Sequence, residues 1–392
     1  MAPTTSWTSV LSGAERADLP DGCVVLFSGG SALARTAPVL ADAEPGVLHL
    51  VTTFDSGGSS GPLRRAFRMP AVGDLRNRML ALASPRQEAL RRFLARRLPS
   101  GEGPDLRQQL ETWSVTTPAD SAVLAWARSC LARCLERLPD EFPLGRASVG
   151  NLVLTVLYLE ADRDLDAAVR ELGERLEIRA HVRPIADCDL HLLARLDDGR
   201  SLVGQHAMTG REGPPPDRPI DELRLVESLS EPRPARVHLR PELARAIENA
   251  SLLVFPIGSF YSSVLANLLP SGVGRAIAAA RCPKVLVLNT RADPEQLGLT
   301  AESAVERLLA VLQADLPPES PRAGLLDVVL TDSTGCVGLP VEETLADRLS
   351  VAVERRPLVA PADATKAVDP ERLTKALLDL AVPRSRPGQG QS

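Results

Sequence analysis

The apolar residues of this chain fall into short unbroken runs that stop abruptly at clusters of Gly, Ser, Asp and Asn. CVVLF (23–27) ends at Ser28-Gly29-Gly30-Ser31, and VLHLVTTF (47–54) ends at Asp55 and a glycine-serine loop. Runs without alternation are what strands buried on both faces of a parallel sheet require. Residues 32–41 between them read as a crossover helix. SLLVFPIG (251–258), KVLVLNT (284–290) and DVVLTD (327–332) repeat the strand pattern, with helical spacing between them.

The middle of the chain follows another rule. Segments 75–97, 105–113 and 119–137 are helical in composition, and Gly and Pro interrupt them around 99–104, which predicts a helical insertion over about 85–145. The apolar segment 148–159 and an amphipathic stretch near 164–176 come next. EIRAHVRPIA, DLHLLARL and SLVGQHAM follow, with Asp198-Gly199 between the last two. Asp-Gly between alternating runs is a hairpin signal, so an antiparallel patch is expected over about 177–210. The predicted fold is α/β: a Rossmann-like, doubly wound, mostly parallel sheet over 23–356 with an α+β insertion. Residues 1–22 read as an N-terminal extension, and 357–392 as a C-terminal helix with a disordered tail.

Composition narrows the class. A 44% apolar and 24% charged chain of 392 residues is globular in character. Its net charge of −5 argues against nucleic acid or an acidic membrane as partner, and with aromatic residues at only 3% stacking platforms for bases or sugars must be few. The first residues lack the basic start of a signal peptide, and no apolar run is long enough for a spanning helix. Six cysteines (Cys23, Cys130, Cys134, Cys188, Cys282, Cys336) are scattered without a C-x-x-C pair, as expected of packed, reduced thiols in a cytoplasmic protein. The arginine run at Arg91, Arg92, Arg96 and Arg97 reads as a solvated helix face, and the five histidines as structural or surface residues.

Ligands of open α/β sheets bind beyond the carboxyl ends of the strands. That rule gathers loops 28–31, 55–64, 258–263 and 289–296. Residues 52–83 are the richest in chemistry, because glycine-rich N–H groups next to a helix start attract anions. With only three lysines in the chain (Lys284, Lys366, Lys375), the loop is no P-loop and any cationic clamp must be arginine. Arg64 and Arg76 are the candidates, able to hold phosphate bidentately. Asp55 or Asp74 could hold Mg²⁺ against a diphosphate. Asp74 could equally be a helix cap, and Asn151 either a cap or a ligand contact. Gly57 to Gly61 formally match a nucleophile elbow at Ser59, but no histidine follows His238 to complete a triad.

Taken together the loops resemble the CofD family of 2-phospho-L-lactate transferases, most closely its branch of YvcK-type gluconeogenesis factors. The family's GGGTG becomes Ser28-Gly29-Gly30-Ser31-Ala32, and its DDGGSSGxLR becomes Asp55-Ser56-Gly57-Gly58-Ser59-Ser60-Gly61-Pro62-Leu63-Arg64. PxGDxRN is matched, one residue longer, by Pro70 to Asn77, and a GN pair by Gly150-Asn151. Ile257 to Leu269 and Asn289 to Gln296 match two further loops. The resemblance implies a nucleotide-linked ligand: a guanosine diphosphate-linked donor of a phospholactyl group with Mg²⁺ and a deazaflavin alcohol acceptor, or, in the YvcK-like branch, a nucleotide sugar with a regulatory role. On that reading Asp55 and Asp74 carry catalysis, and Asp55 the metal. Gly29, Gly30, Ser31, Gly57, Gly58, Ser59, Ser60, Arg64, Arg76, Asn77, Asn151, Gly258, Ser259, Tyr261, Ser262 and Asn289 would contact nucleotide or substrate, and the protein could assemble as a homodimer. Ser56 stands where the family has a second acid, and the first loop has lost its third glycine.

Overall fold

A computed structural model describes residues 19–100, 121–210, 213–334, 338–342, 344–361 and 363–381. Seven parallel strands form the central sheet, in the order β10-β9-β8-β7-β1-β2-β3. These are β1 (Val24–Ser28), β2 (Val47–Val51), β3 (His181–Pro184), β7 (Leu252–Phe255), β8 (Lys284–Val287), β9 (Val328–Asp332) and β10 (Ala352–Arg356). A smaller antiparallel sheet contains β4 (His191–Leu196), β5 (Ser201–Val203) and β6 (Ile220–Val226), in the order β5-β4-β6.

The unbroken apolar runs explain the central layer. Val24 and Leu26 of β1 enter one hydrophobic core, whereas Val25 and Phe27 enter the other on the opposite face. Helix α1 (Thr36–Ala43) covers the first face together with α3 (Gly73–Leu82) and the helix Val149–Glu160. Phe27 stacks on Phe255 across the β1–β7 pair, ring centroids 5.3 Å apart. Successive strands run from β1 through β2 to β3 on one side, then restart at β7 on the other, so the sheet reverses its winding between β1 and β7. A crevice at such a reversal is where doubly wound folds bind ligands.

Three elements differ from the sequence reading. His181–Pro184 pairs in parallel with β2 and closes the main sheet, rather than joining the antiparallel patch. The third strand of that patch is instead β6, inside the proline-rich stretch 214–234. Local pattern alone cannot choose a strand's partner, and Pro184 at a strand end on a sheet edge is compatible with either sheet. The expected helix at 75–97 is split: α3 stops at Leu82, a 3₁₀ turn Pro85–Gln87 follows, and α4 (Glu88–Ala95) resumes. The segment 105–113 and the tail 382–392 lie outside the described residues. Cys130 and Cys134 are both fully buried, with thiols pushed up to about 11 and about 12 by burial, and Cys336 lies outside the described residues. Among the described residues no helix is long and apolar enough to cross a membrane.

Candidate functional site

Chain leaving β2 at Val51 crosses Thr52 to Phe54 fully buried and turns at Asp55, whose Oδ1 accepts the Gly57 N–H at 2.9 Å. That Asx turn opens the glycine-serine loop into α2 (Ser60–Phe67). Ser59 does not cap α2 with its hydroxyl. Its Oγ accepts from Asn151 Nδ2 at 2.9 Å and from the Ser148 N–H at 3.4 Å, tying the loop to the helix Val149–Glu160. Ser148 is the cap of that helix, so Asn151 is freed for the site. Its Oδ1 accepts from Arg76 Nε at 3.1 Å, completing a relay from Ser59 through Asn151 to Arg76.

Close backbone approach makes this possible. A Cβ on Gly73 would sit 2.7 Å from Ser60 Oγ and 3.1 Å from Asp55 Oδ2, so only glycine lets α3 begin against the loop. Helix α3 starts at Gly73, and Asp74 lies in its first turn rather than at the cap, where the helix dipole favours a carboxylate. A Cβ on Gly150 would meet Arg76 Cγ at 2.9 Å, so Gly150 gives the arginine stem its groove.

The result is a polar pocket of about 250 Å³. Asp55, Gly57, Gly58, Ser59, Ser60, Asp74, Arg76, Asn77 and Asn151, all expected at the site, line it together with Gly73. Arg76 is held at about 10, lowered by burial first and by Arg97 second, and so keeps its charge at neutral pH. Two carboxylates and two arginines therefore face one small volume. A cavity of about 860 Å³ elsewhere lies between β6 and the helix Ala301–Gln313; it takes in Tyr261, after β7, but none of the loops after β1, β2 or β8. The smaller pocket is the chemical one, because it gathers the strand-end loop and its charges.

Other expected site residues are placed differently. Arg64 is 2% exposed and fully committed: it donates to the carbonyls of Phe54, Asp55, Met69 and Leu190 and pairs with Asp189 at 2.8 Å. It clamps the loop to the antiparallel sheet from behind and, though expected among the phosphate ligands, does not line the pocket. Gly29 and Gly30 sit beside the pocket: Gly29 packs so tightly that a Cβ would be 2.6 Å from Ser263 Oγ, and one on Gly30 would be 3.7 Å from Asp74 Oδ1. Ser31 is exposed. Asn289 clasps Gly258, accepting from its N–H at 2.9 Å and donating to its carbonyl at 2.8 Å.

After β7 the turn that starts at Ser259 has its N–H groups already taken. Phe260 N–H donates to Asp293, while Tyr261 and Ser262 N–H groups both donate to Glu295. Ser262 Oγ also donates to Glu295 at 2.5 Å, and Tyr261 Oη to the Ile220 carbonyl at 2.7 Å. Internal carboxylates thus take up the N–H groups of this turn. Burial and the neighbouring Asp293 push the Glu295 carboxyl up to about 7.

Four pocket residues escaped the sequence reading: Arg97, Gln205, His206 and Thr209. Arg97 is exposed, as expected, but lies beyond the end of α4 rather than on its face, bridges to Ser148 and donates to the Arg146 carbonyl, whereas Arg91 and Arg92 pair with Glu88 at the surface. His206 stands against Ser56, Nδ1 to Oγ 2.8 Å, across 150 residues of chain. No local spacing announces such a contact.

The fold and these loops define a class: an α/β protein with its polar site at a doubly wound sheet's strand ends. The CofD family profile, described as 2-phospho-L-lactate transferase CofD, matches residues 24–353, and the chain belongs to that family. A gluconeogenesis factor of Bacillus subtilis is 25% identical over 311 residues, 79% of this chain and 78% of that protein. Another, from Listeria monocytogenes, is 28% identical over 266 residues, 68% of this chain and 66% of its own length. A crystal structure of a UPF0052 family member from Bacillus halodurans shares the fold, with a TM-score of 0.68 at 22% identity, covering 91% of this chain and 99% of the other.

Proposed function

We propose that the 250 Å³ pocket binds the diphosphate of a nucleotide-linked ligand and that the site transfers a phosphoryl-linked group from it to an alcohol, in the manner of a phospholactate transferase. The observation that carries this reading is the Ser59–Asn151–Arg76 relay, which fixes a charged guanidinium beside a glycine-serine loop. Phosphoryl transfer asks for positioning and charge neutralisation more than for a covalent nucleophile. Arg76 and Arg97 offset phosphate charge, and the Gly57–Ser60 backbone follows the diphosphate.

Asp55 and Asp74 are the residues that would hold Mg²⁺. Among the described residues no group of three or more His, Cys, Asp or Glu forms a metal cage. A pair of carboxylates nonetheless suits this ion, which takes its other ligands from phosphate oxygens and water. Bound there, Mg²⁺ would neutralise charge on the diphosphate. The chain's reduced thiols fit a cytoplasmic setting.

A second reading is a regulator that binds a nucleotide sugar without turnover, in keeping with Ser56 standing where the resemblance places a second acid. Thermal unfolding with guanosine or uridine diphosphates, with and without Mg²⁺, tests binding for both readings. Release of nucleoside monophosphate from a diphosphate-linked donor separates them: transfer requires it, and its absence over long incubation leaves the regulator.

A further inference from the structure

Ser56 and His206 form a contact that the rest of the site has not used. The ring Nδ1 lies 2.8 Å from Ser56 Oγ, and the His206 N–H also donates to that oxygen at 3.4 Å. The backbone is shaped for the pair. Gly204 has φ +90, and a Cβ there would lie 2.6 Å from His206 Cε1, 2.7 Å from Nδ1 and 2.8 Å from Ser56 Oγ. Any side chain at 204 would therefore occupy the space where ring and hydroxyl meet. Ser56 is 8% exposed, so the hydroxyl is held in one place. His206 lines the same pocket as Asp55, Asp74 and Arg76, and its Nε2 has no hydrogen-bond partner among the described residues.

We propose that His206, held by Ser56, accepts the proton of the acceptor hydroxyl. This inference rests on the transfer reading. The ring carries its own proton on Nδ1, directed at Ser56 Oγ, and presents Nε2 as the base. As the acceptor oxygen bonds to the distal phosphorus, its proton passes to Nε2. The bond from that phosphorus to the bridging oxygen breaks, and nucleoside monophosphate leaves with the electron pair. A serine–histidine pair thus stands in this chain where the resemblance placed a second carboxylate. An imidazole with one protonated and one free ring nitrogen can take up a proton at the free one, the role general-base catalysis asks of histidine. The charged groups that share the pocket with the ring are Asp55, Asp74, Arg76 and Arg97; His191, held neutral by burial and by Arg64, lies behind it.

The experiment uses the full chain and His206→Gln, which keeps size and polarity, with Ser56→Ala as second variant. GDP-induced thermal stabilisation is measured first and reports on the nucleotide site alone. GMP release from a guanosine diphosphate-linked lactate donor with a deazaflavin alcohol acceptor is then followed from pH 5 to 9. His206→Gln should lose about 10²–10⁴-fold in kcat, with KM within a few-fold and the pH inflection gone. Ser56→Ala should retain more of the rate with a displaced midpoint. Unchanged kcat and inflection in His206→Gln would overturn the assignment while leaving nucleotide binding intact. Absence of GMP release from the wild type over long incubation would sink the transfer reading and this assignment with it, whereas ¹⁵N spectra showing a neutral ring protonated on Nε2 would sink the assignment alone.

Discussion

Asn151 is the residue on which the site turns, because its amide spends both ends inside the protein. One end donates to Ser59 and the other accepts from a buried arginine, and the residue is 2% exposed. Asn151→Ala should therefore cost about 1–3 kcal/mol in urea unfolding and weaken nucleotide binding as well. Arg64 and Arg76 should part company in the same assays. Arg64→Met strands Asp189 and several buried carbonyls, so its loss should appear mainly as instability of about 3 kcal/mol or more. Arg76→Met should appear mainly as lost affinity. Equal effects of the two variants on stability and binding would contradict the placement of Arg64 behind the loop. From sequence alone the two arginines were indistinguishable: each follows an acid-bearing loop onto a helix, and only the partner of Arg64, 125 residues away, reveals its duty.

At the scale of elements, the first loop depends on one close approach. Gly29 faces Ser263 so closely that an added Cβ would lie 2.6 Å from Oγ and 2.7 Å from Cβ. Gly29→Ala should destabilise the protein measurably in thermal unfolding, and Ser263→Gly in the same chain should restore much of the loss. An additive double mutant would show that the strain lies elsewhere, with Thr52 Cγ2 at 3.1 Å the next neighbour. The buried strands β1, β2, β7, β8 and β9 were legible because nothing but a two-sided burial explains apolar runs without alternation. Strands β6 and β10 were not. β6 lies within a proline-rich stretch, and β10 (AVERR) is a partly exposed edge strand that carries too little apolar signal to be read.

For the whole molecule, two buried groups set opposing slopes of stability against pH. His49 is fully buried, neither ring nitrogen has a partner among the described residues, and burial followed by Arg78 lowers its pKa well below 6.5. Below pH 6.5 the unfolded chain binds a proton that the folded one refuses, so this group makes stability fall as pH drops. Glu295 does the reverse. Its carboxyl is raised to about 7, so between about 4.5 and 7 the folded chain binds the extra proton and stability falls as pH rises. His49→Leu should leave a more negative slope of unfolding free energy with pH between 5 and 6.5, and Glu295→Gln a more positive one. Each difference is bounded by one proton, about 1.4 kcal/mol per pH unit. Chemical denaturation at three pH values checks both signs.

The site was legible in sequence wherever a loop carried its own chemistry, as at Asp55–Ser60 and Gly73–Asn77. Arg97 and His206 were not, since the fold brings them in from a helix end and from the antiparallel sheet's flank. The central claim is that this pocket holds a nucleotide diphosphate against Arg76. Isothermal titration of GDP into the full chain and into Arg76→Met tests it most directly. A saturable exothermic signal is expected in the wild type and at least about tenfold weaker binding in the variant, the loss expected for removing one charge-assisted contact of about 1.5–3 kcal/mol. Equal affinity in the two proteins would place the nucleotide elsewhere and contradict the account.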